Sequence, residues 1–243
     1  MHPVAPEEIK EVVHKMKPKT SCGFDNIQMK IIKEIIDNIK TPLTHIFNQS
    51  FVTGIVPKQM KIAKVVSIFK SGKKNLFSNY RPISLLPTLS KILEKIVCNR
   101  LMLFINKYDI LYKHQYGFRK KHSTIHPIIH LLNHRAENND KSSKEKTLSI
   151  FLDLSKAFDT LPHTTILHKL EHYGIRGTAN MWFESYLTDR QQFMIINSAK
   201  SIKQHVKYRV PQGSILGPIL FILYVNDLHI MHLNLIYSPS RMT

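Results

Sequence analysis

The chain has 243 residues, of which 43% are hydrophobic and 21% charged, a balance typical of a globular protein with one or two domains. Its 35 Lys and Arg residues outnumber 17 Asp and Glu residues, and the net charge of +18 favours a polyanionic partner such as nucleic acid over a basic surface that serves only solubility. The two cysteines, Cys22 and Cys98, lie far apart, which excludes a disulfide framework and a zinc knuckle and indicates a reducing compartment.

The first part of the chain is predicted to be helical. Apolar residues recur at helical spacing in three segments, 6–17, 24–40 and 42–52. These segments together predict an N-terminal helical leader over residues 1–60.

The next part combines one strand with two helices. A run rich in β-branched residues predicts a strand over 61–70, and the basic stretch after it predicts a loop. Ser90 is expected to cap a helix over 90–106, because apolar residues then repeat at helical spacing. A His-rich segment predicts a further helix over 124–135.

The last part begins after the polar linker "AENNDKSSKEK". It is predicted to contain a strand over 147–153, helices near 163–172 and 178–187, a hairpin through 192–210 and a final helix over 214–226. Strands and helices alternate without a strict βαβ repeat, which predicts the α+β class.

Neither the N-terminus nor the most apolar stretch predicts a membrane segment. The start of the chain lacks the apolar core of a signal peptide. The stretch 215–225 is too short to span a bilayer and contains Gly217 and Pro218. The protein is therefore expected to be intracellular, in the nucleus or the cytoplasm, without a membrane partner.

Asp153 is the first candidate functional residue, because it ends the apolar strand in "LSIFLDLSKAFDTLPH". A carboxylate held at the end of a rigid strand can serve as a ligand of magnesium, which prefers oxygen ligands. The alternative is that Asp153 caps the helix that follows it. The position of Asp153 by itself does not separate the two roles.

The second candidate is the turn in "RVPQGSILGPILF", where Gln212 and Gly213 precede an apolar helix. A glycine lets the backbone approach a ligand closely, and a glutamine side chain offers amide hydrogen bonds. The alternative is an ordinary Pro-Gly turn in which Ser214 caps a helix.

The two motifs together resemble the palm of a reverse transcriptase of the non-LTR, LINE-type retrotransposon family. The segments "NYRPISLLPTLSKILEKIVCNRL", "HQYGFRKKHST", "FLDLSKAFDT" and "VPQGSILGPILFILYVNDL" stand in the order that this family shows. The resemblance implies a right-hand polymerase fold with fingers over 61–147 and a partial palm over 148–243. The reverse transcriptase domain would then cover about 61–243.

The resemblance also implies roles for residues of the palm. Asp153 matches the first catalytic aspartate, which binds magnesium. Phe158 matches the bulky residue that screens the 2′ position of an incoming nucleotide, and it can also be a core aromatic. Gln212 and Gly213 match the turn that lines the nucleotide pocket.

Two arginines match fingers motifs that hold triphosphate or template. They are Arg81 in "YRPIS" and Arg119 in "YGFR". Arginine suits phosphate because its planar fork makes bidentate hydrogen bonds. The alternative for each is a solvated basic loop.

The expected second pair of catalytic aspartates does not occur in the sequence, which contains no two adjacent aspartates. The expectation is therefore a fragment of an RNA-directed DNA polymerase that stops before this pair and before the thumb, and that is catalytically inactive as written. The alternative is a non-catalytic, basic nucleic-acid-binding module. The family resemblance implies an RNA template, a DNA primer and deoxynucleoside triphosphates as partners, with Mg²⁺ as cofactor, and the sequence indicates no partner protein.

Overall fold

The computed structural model describes residues 1–119, 122–139, 151, 161–196, 199–206 and 210–228. Within these ranges the helices are α1 Pro6–Lys15, α2 Met29–Thr53, α3 Thr88–Lys107, α4 Ile125–Asn139, α5 His163–His172, α6 Thr178–Leu187 and α7 Gly217–Val225. The strands are β1 Ile62–Phe69, β2 Tyr80–Leu85, β3 Arg190–Ile196, β4 Ala199–Lys200 and β5 Gln204–Val206. The mixture of helices with one small sheet confirms the α+β class.

Helix α2 is one continuous helix, so the prediction of two helices separated near Pro42 is wrong. Proline in a helix interior removes one backbone hydrogen bond and normally kinks or ends the helix. Here buried side chains lie on both sides of it, including Ile36, Leu43 and Phe47. We attribute the continuity to this shared burial, which outweighs the cost of one lost hydrogen bond.

The sheet has the strand order β2-β1-β3-β4, and β5 also pairs with β3. Strand β1 runs antiparallel to β2 and parallel to β3. The sequence predicts β1 and the hairpin of β3 with β5, but not β2, whose first residues fall in the predicted loop. Pro82 obscures this strand, and it is tolerated because β2 forms an edge of the sheet.

One apolar core contains buried residues of every described helix except α4, and Trp182 is one of its members. The Trp182 ring stacks on Tyr186 with centroids 5.6 Å apart, and it also contacts Phe51 and Phe183. Its Nε1 donates to Ser50 Oγ at 3.0 Å. Residues of the predicted leader segment therefore pack directly against α6.

Ser90 does not cap α3, because the helix begins two residues earlier, at Thr88. The Ser90 hydroxyl instead donates to the carbonyl oxygen of Met60 at 3.0 Å, which attaches α3 to the turn before β1. The predicted strand at 147–153 lies outside the described residues except for Phe151. None of the described helices is long and apolar enough to cross a membrane.

Candidate functional site

The turn at 211–214 is attached to strand β2. The backbone N–H of Ser84 donates to the carbonyl oxygen of Gln212 at 2.8 Å. Arg81 lies on the same strand, opposite Ile68 of β1. Arg81 lies three positions before Ser84 in the extended strand, which corresponds to about 10 Å. The structure therefore places Gln212 and Arg81 along one edge of the sheet.

Gly213 is required where the turn contacts β2. Its φ angle is 109°, in the region that side chains rarely adopt. A Cβ atom at this position would lie 2.9 Å from the carbonyl oxygen of Ser84. Only glycine therefore allows the turn to approach β2 this closely.

Replacing Gly213 by alanine is expected to destabilise the fold by about 2–4 kcal/mol, because the substitution adds backbone strain and a clash with Ser84. Gly177→Ala is the matched control. Gly177 also has a positive φ, of 57°, but a Cβ atom added there would meet nothing within 4 Å. Urea denaturation followed by circular dichroism measures both variants, and equal losses would contradict the role given to the contact with Ser84.

Helix α7 begins after the turn, at Gly217, and not at Ser214 as the sequence indicates. The Ser214 hydroxyl accepts a hydrogen bond from the Gly217 N–H at 3.0 Å. The N-cap residue of α7 is Leu216, so the predicted cap at Ser214 is wrong, although the Ser214 hydroxyl still contacts the first N–H group of the helix from two residues before the N-cap. This contact is compatible with a ligand-lining turn, because it uses Ser214 and leaves the Gln212 side chain outside the helix.

A buried carboxylate binds the chain just before α7. Glu94 of α3 is 1% exposed, and its Oε2 accepts a hydrogen bond from the Ile215 N–H at 2.6 Å. Burial raises the pKa of Glu94, while the positive charge of Arg190 and the backbone N–H groups of Ile215 and Leu216 act in the opposite direction. Burial likewise raises the pKa of the neighbouring Tyr186.

Arg119 is attached at the other end of α7. Its Nη1 donates to the Tyr112 carbonyl oxygen at 3.5 Å, and the Tyr112 N–H donates to Asn226 Oδ1 at 2.8 Å. Nine helical residues separate the two ends of α7, which corresponds to about 13 Å. The structure therefore does not place Arg119 beside Gln212.

Asp153 and Phe158, the other predicted site residues, lie outside the described residues. Within the described ranges, no group of three or more His, Cys, Asp or Glu side chains is arranged to hold a metal ion. The predicted magnesium site accordingly depends on Asp153 and is not supported by a ligand group elsewhere in the described chain.

Sequence reasoning misses two polar residues that hold this region together. Glu94 lies near the predicted start of a helix, and an acid among buried apolar neighbours is a signal of a buried contact. Asn226 connects α7 to two other segments, because its Nδ2 donates to the Ile110 carbonyl at 2.8 Å and to the Tyr173 hydroxyl at 3.3 Å. No sequence pattern indicates the partners of Asn226.

Comparison with known proteins adds a family match. Residues 68–235 match the family model described as reverse transcriptase (RNA-dependent DNA polymerase). The chain is 34% identical over 233 residues to the probable RNA-directed DNA polymerase from transposon BS of Drosophila melanogaster, covering 93% of this chain and 25% of that protein.

Two other relatives come from mobile elements in insects. The RNA-directed DNA polymerase from mobile element jockey of Drosophila funebris is 34% identical, over 93% of this chain and 24% of that protein. The Pol polyprotein from type-1 retrotransposable element R2 of Popillia japonica is 27% identical, over 93% of this chain and 30% of that protein. The chain thus spans about a quarter of the length of the curated relatives it matches.

Proposed function

The chain belongs to the reverse transcriptase family and is homologous to the RNA-directed DNA polymerases of non-LTR retrotransposons. From this premise we propose that it forms the part of such a polymerase that holds the nucleotide and the template. In this proposal residues 61–147 correspond to the fingers and residues 148–243 to part of the palm. The attachment of the turn at 211–214 to β2 is the observation that carries the proposal, because it holds Gln212 and Arg81 on one edge.

Each site residue has a distinct task in the proposal. Gln212 offers its amide to the incoming deoxynucleotide, while Gly213 lets the backbone come close to it. Arg81 offers a bidentate fork to phosphate. Phe158 excludes a 2′ hydroxyl by its bulk. Arg119 contacts the template, because it lies at the opposite end of α7 from the turn.

Divalent metal ions are generally used by this family, and Asp153 is the residue of this chain that would hold magnesium. The metal would stabilise the charge on the transferring phosphoryl group. Two metals need carboxylates from both sides, and the 243 residues contain no adjacent pair of aspartates. We therefore propose that these 243 residues alone bind nucleotide and template but do not extend a primer.

A photoreactive deoxynucleoside triphosphate, presented with an RNA template and a DNA primer, tests the proposal. The label is expected on the peptide that contains Gln212, with about a tenfold loss in Gln212→Ala. Gln204→Ala, in exposed strand β5, is the matched control and is expected to label normally.

The same reaction mixture tests the catalytic part of the proposal. No primer extension is expected with magnesium or manganese, and incorporation that Asp153→Asn abolishes would contradict the proposed inactivity. Equal labelling of Gln212→Ala and Gln204→Ala would show that the label does not depend on the proposed nucleotide site. That result would favour a basic nucleic-acid-binding module instead. The net charge of +18 is the observation that keeps this second function open.

A further inference from the structure

We infer that Glu94 is a positioning residue for the turn at 211–214. The inference deepens the proposed function and rests on it in one respect, namely that the turn lines a nucleotide pocket. The geometric part of the inference, a turn held from α3, is independent of that function.

Glu94 is a carboxylate among buried apolar residues of helix α3. Its neighbours Leu93, Ile96 and Val97 are buried apolar residues of the common core. Taking a carboxylate out of water costs free energy unless hydrogen bonds replace its hydration. The contact that replaces it leads away from α3, to the Ile215 N–H.

The partner of Glu94 lies two residues before the first residue of α7. The first N–H groups of a helix have no partner inside the helix, and a negative charge near them is favourable. Ser214 provides for the Gly217 N–H, while Glu94 provides for Ile215. Since α7 is otherwise composed of apolar residues, these two contacts set where the chain enters the helix.

The turn is consequently held from two sides. Strand β2 binds the Gln212 carbonyl through the Ser84 N–H at 2.8 Å, and α3 binds the Ile215 N–H through Glu94 at 2.6 Å. The two contacts lie only three residues apart on the chain and come from different elements of the fold. A displacement of Glu94 would therefore change the orientation of Gln212 and Gly213.

Tyr186 and Arg190 form the surroundings of the Glu94 carboxyl group. Both side chains are at most 2% exposed, and the Arg190 guanidinium lies over the Tyr186 ring at 4.9 Å. The Arg190 Nη1 also donates to the Tyr186 carbonyl oxygen at 2.9 Å, which fixes the two residues to each other. The positive charge of Arg190 lowers the pKa of Glu94 and so offsets part of the effect of burial.

Amide hydrogen exchange in the 243-residue chain tests the inference with two opposite substitutions. Glu94→Gln keeps the length of the side chain and one acceptor oxygen, whereas Glu94→Asp keeps the charge but shortens the reach by one methylene. Ile96→Val is the matched control, because it shortens another buried side chain of α3 and leaves the Glu94 carboxyl group unchanged. Exchange at residues 215 and 216 is measured relative to amides of α1, which corrects for changes in global stability.

A positioning role predicts that Glu94→Asp speeds the exchange of these two amides by about tenfold, whereas Glu94→Gln and Ile96→Val leave it within about threefold. The inference is overturned if Glu94→Asp exchanges like the unsubstituted chain, or if Glu94→Gln exchanges as fast as Glu94→Asp. Failure of the proposed function gives a different result. The Gln212 peptide of the unsubstituted chain would then take no nucleotide label, while Glu94→Asp would still speed amide exchange at residues 215 and 216.

Discussion

The affinity of the chain for single-stranded nucleic acid is expected to fall by about a hundredfold when the salt concentration rises from about 50 to about 200 mM, the loss that about five phosphate contacts would produce. The reason is release of the cations that surround the phosphate backbone, one for each phosphate that the protein neutralises. Fluorescence anisotropy with a labelled single-stranded oligonucleotide measures the slope of log affinity against log salt.

The loop between β1 and β2 is the segment to which we assign part of this slope. Between residues 38 and 108 the only acidic residue is Glu94, which is buried. Three lysines of the loop, Lys70, Lys73 and Lys74, are exposed. Replacing all three by glutamine is expected to reduce the magnitude of the slope by about two to three.

Three lysines of α1 and α2 serve as the charge-matched control. Lys10, Lys15 and Lys40 form ion pairs with Asp37, Glu11 and Glu7, at 2.6, 2.9 and 2.6 Å. Their replacement by glutamine removes the same charge from a surface where acids already neutralise it, so the slope is expected to change by less than about one. Equal slopes for the two triple variants would show that net charge alone governs binding, without a contribution from the loop.

Replacing Trp182 by alanine is expected to lower the free energy of unfolding by about 3–5 kcal/mol. The indole is fully buried, stacks on Tyr186 and donates to Ser50 Oγ at 3.0 Å. Its removal leaves a cavity where α2 meets α6 and deprives the Ser50 hydroxyl of its donor. Because Trp182 is the single tryptophan of the chain, urea denaturation has to be followed by circular dichroism.

Met181→Ala is the control for this substitution, since Met181 precedes the tryptophan in α6 and is 54% exposed. Its expected effect is within about 0.5 kcal/mol, as for most surface positions. A midpoint for Trp182→Ala equal to that of Met181→Ala would contradict the contribution given to the buried indole.

The family of the protein and most of its helices follow from the sequence. Segments such as "NYRPISLL" and "VPQGSILGPILF" carry the family resemblance, which the family match over residues 68–235 confirms. Helices α1, α3, α5 and α6 are predicted close to their observed bounds, because the periodicity of buried residues is a local property of the chain. The roles given to Asp153, Phe158 and the other predicted site residues remain predictions.

Other features depend on contacts between residues that are distant in sequence, and only the tertiary structure decided them. Pro42 marks a break locally, yet burial on both sides keeps α2 continuous. The requirement for Gly213 comes from Ser84, and the requirement for Glu94 from Ile215, which lies 121 residues away. Sequence periodicity indicates which side chains are buried. The partner of a buried polar group is instead set by how whole helices and strands pack together, because the hydrogen bond forms only when the two elements are in contact.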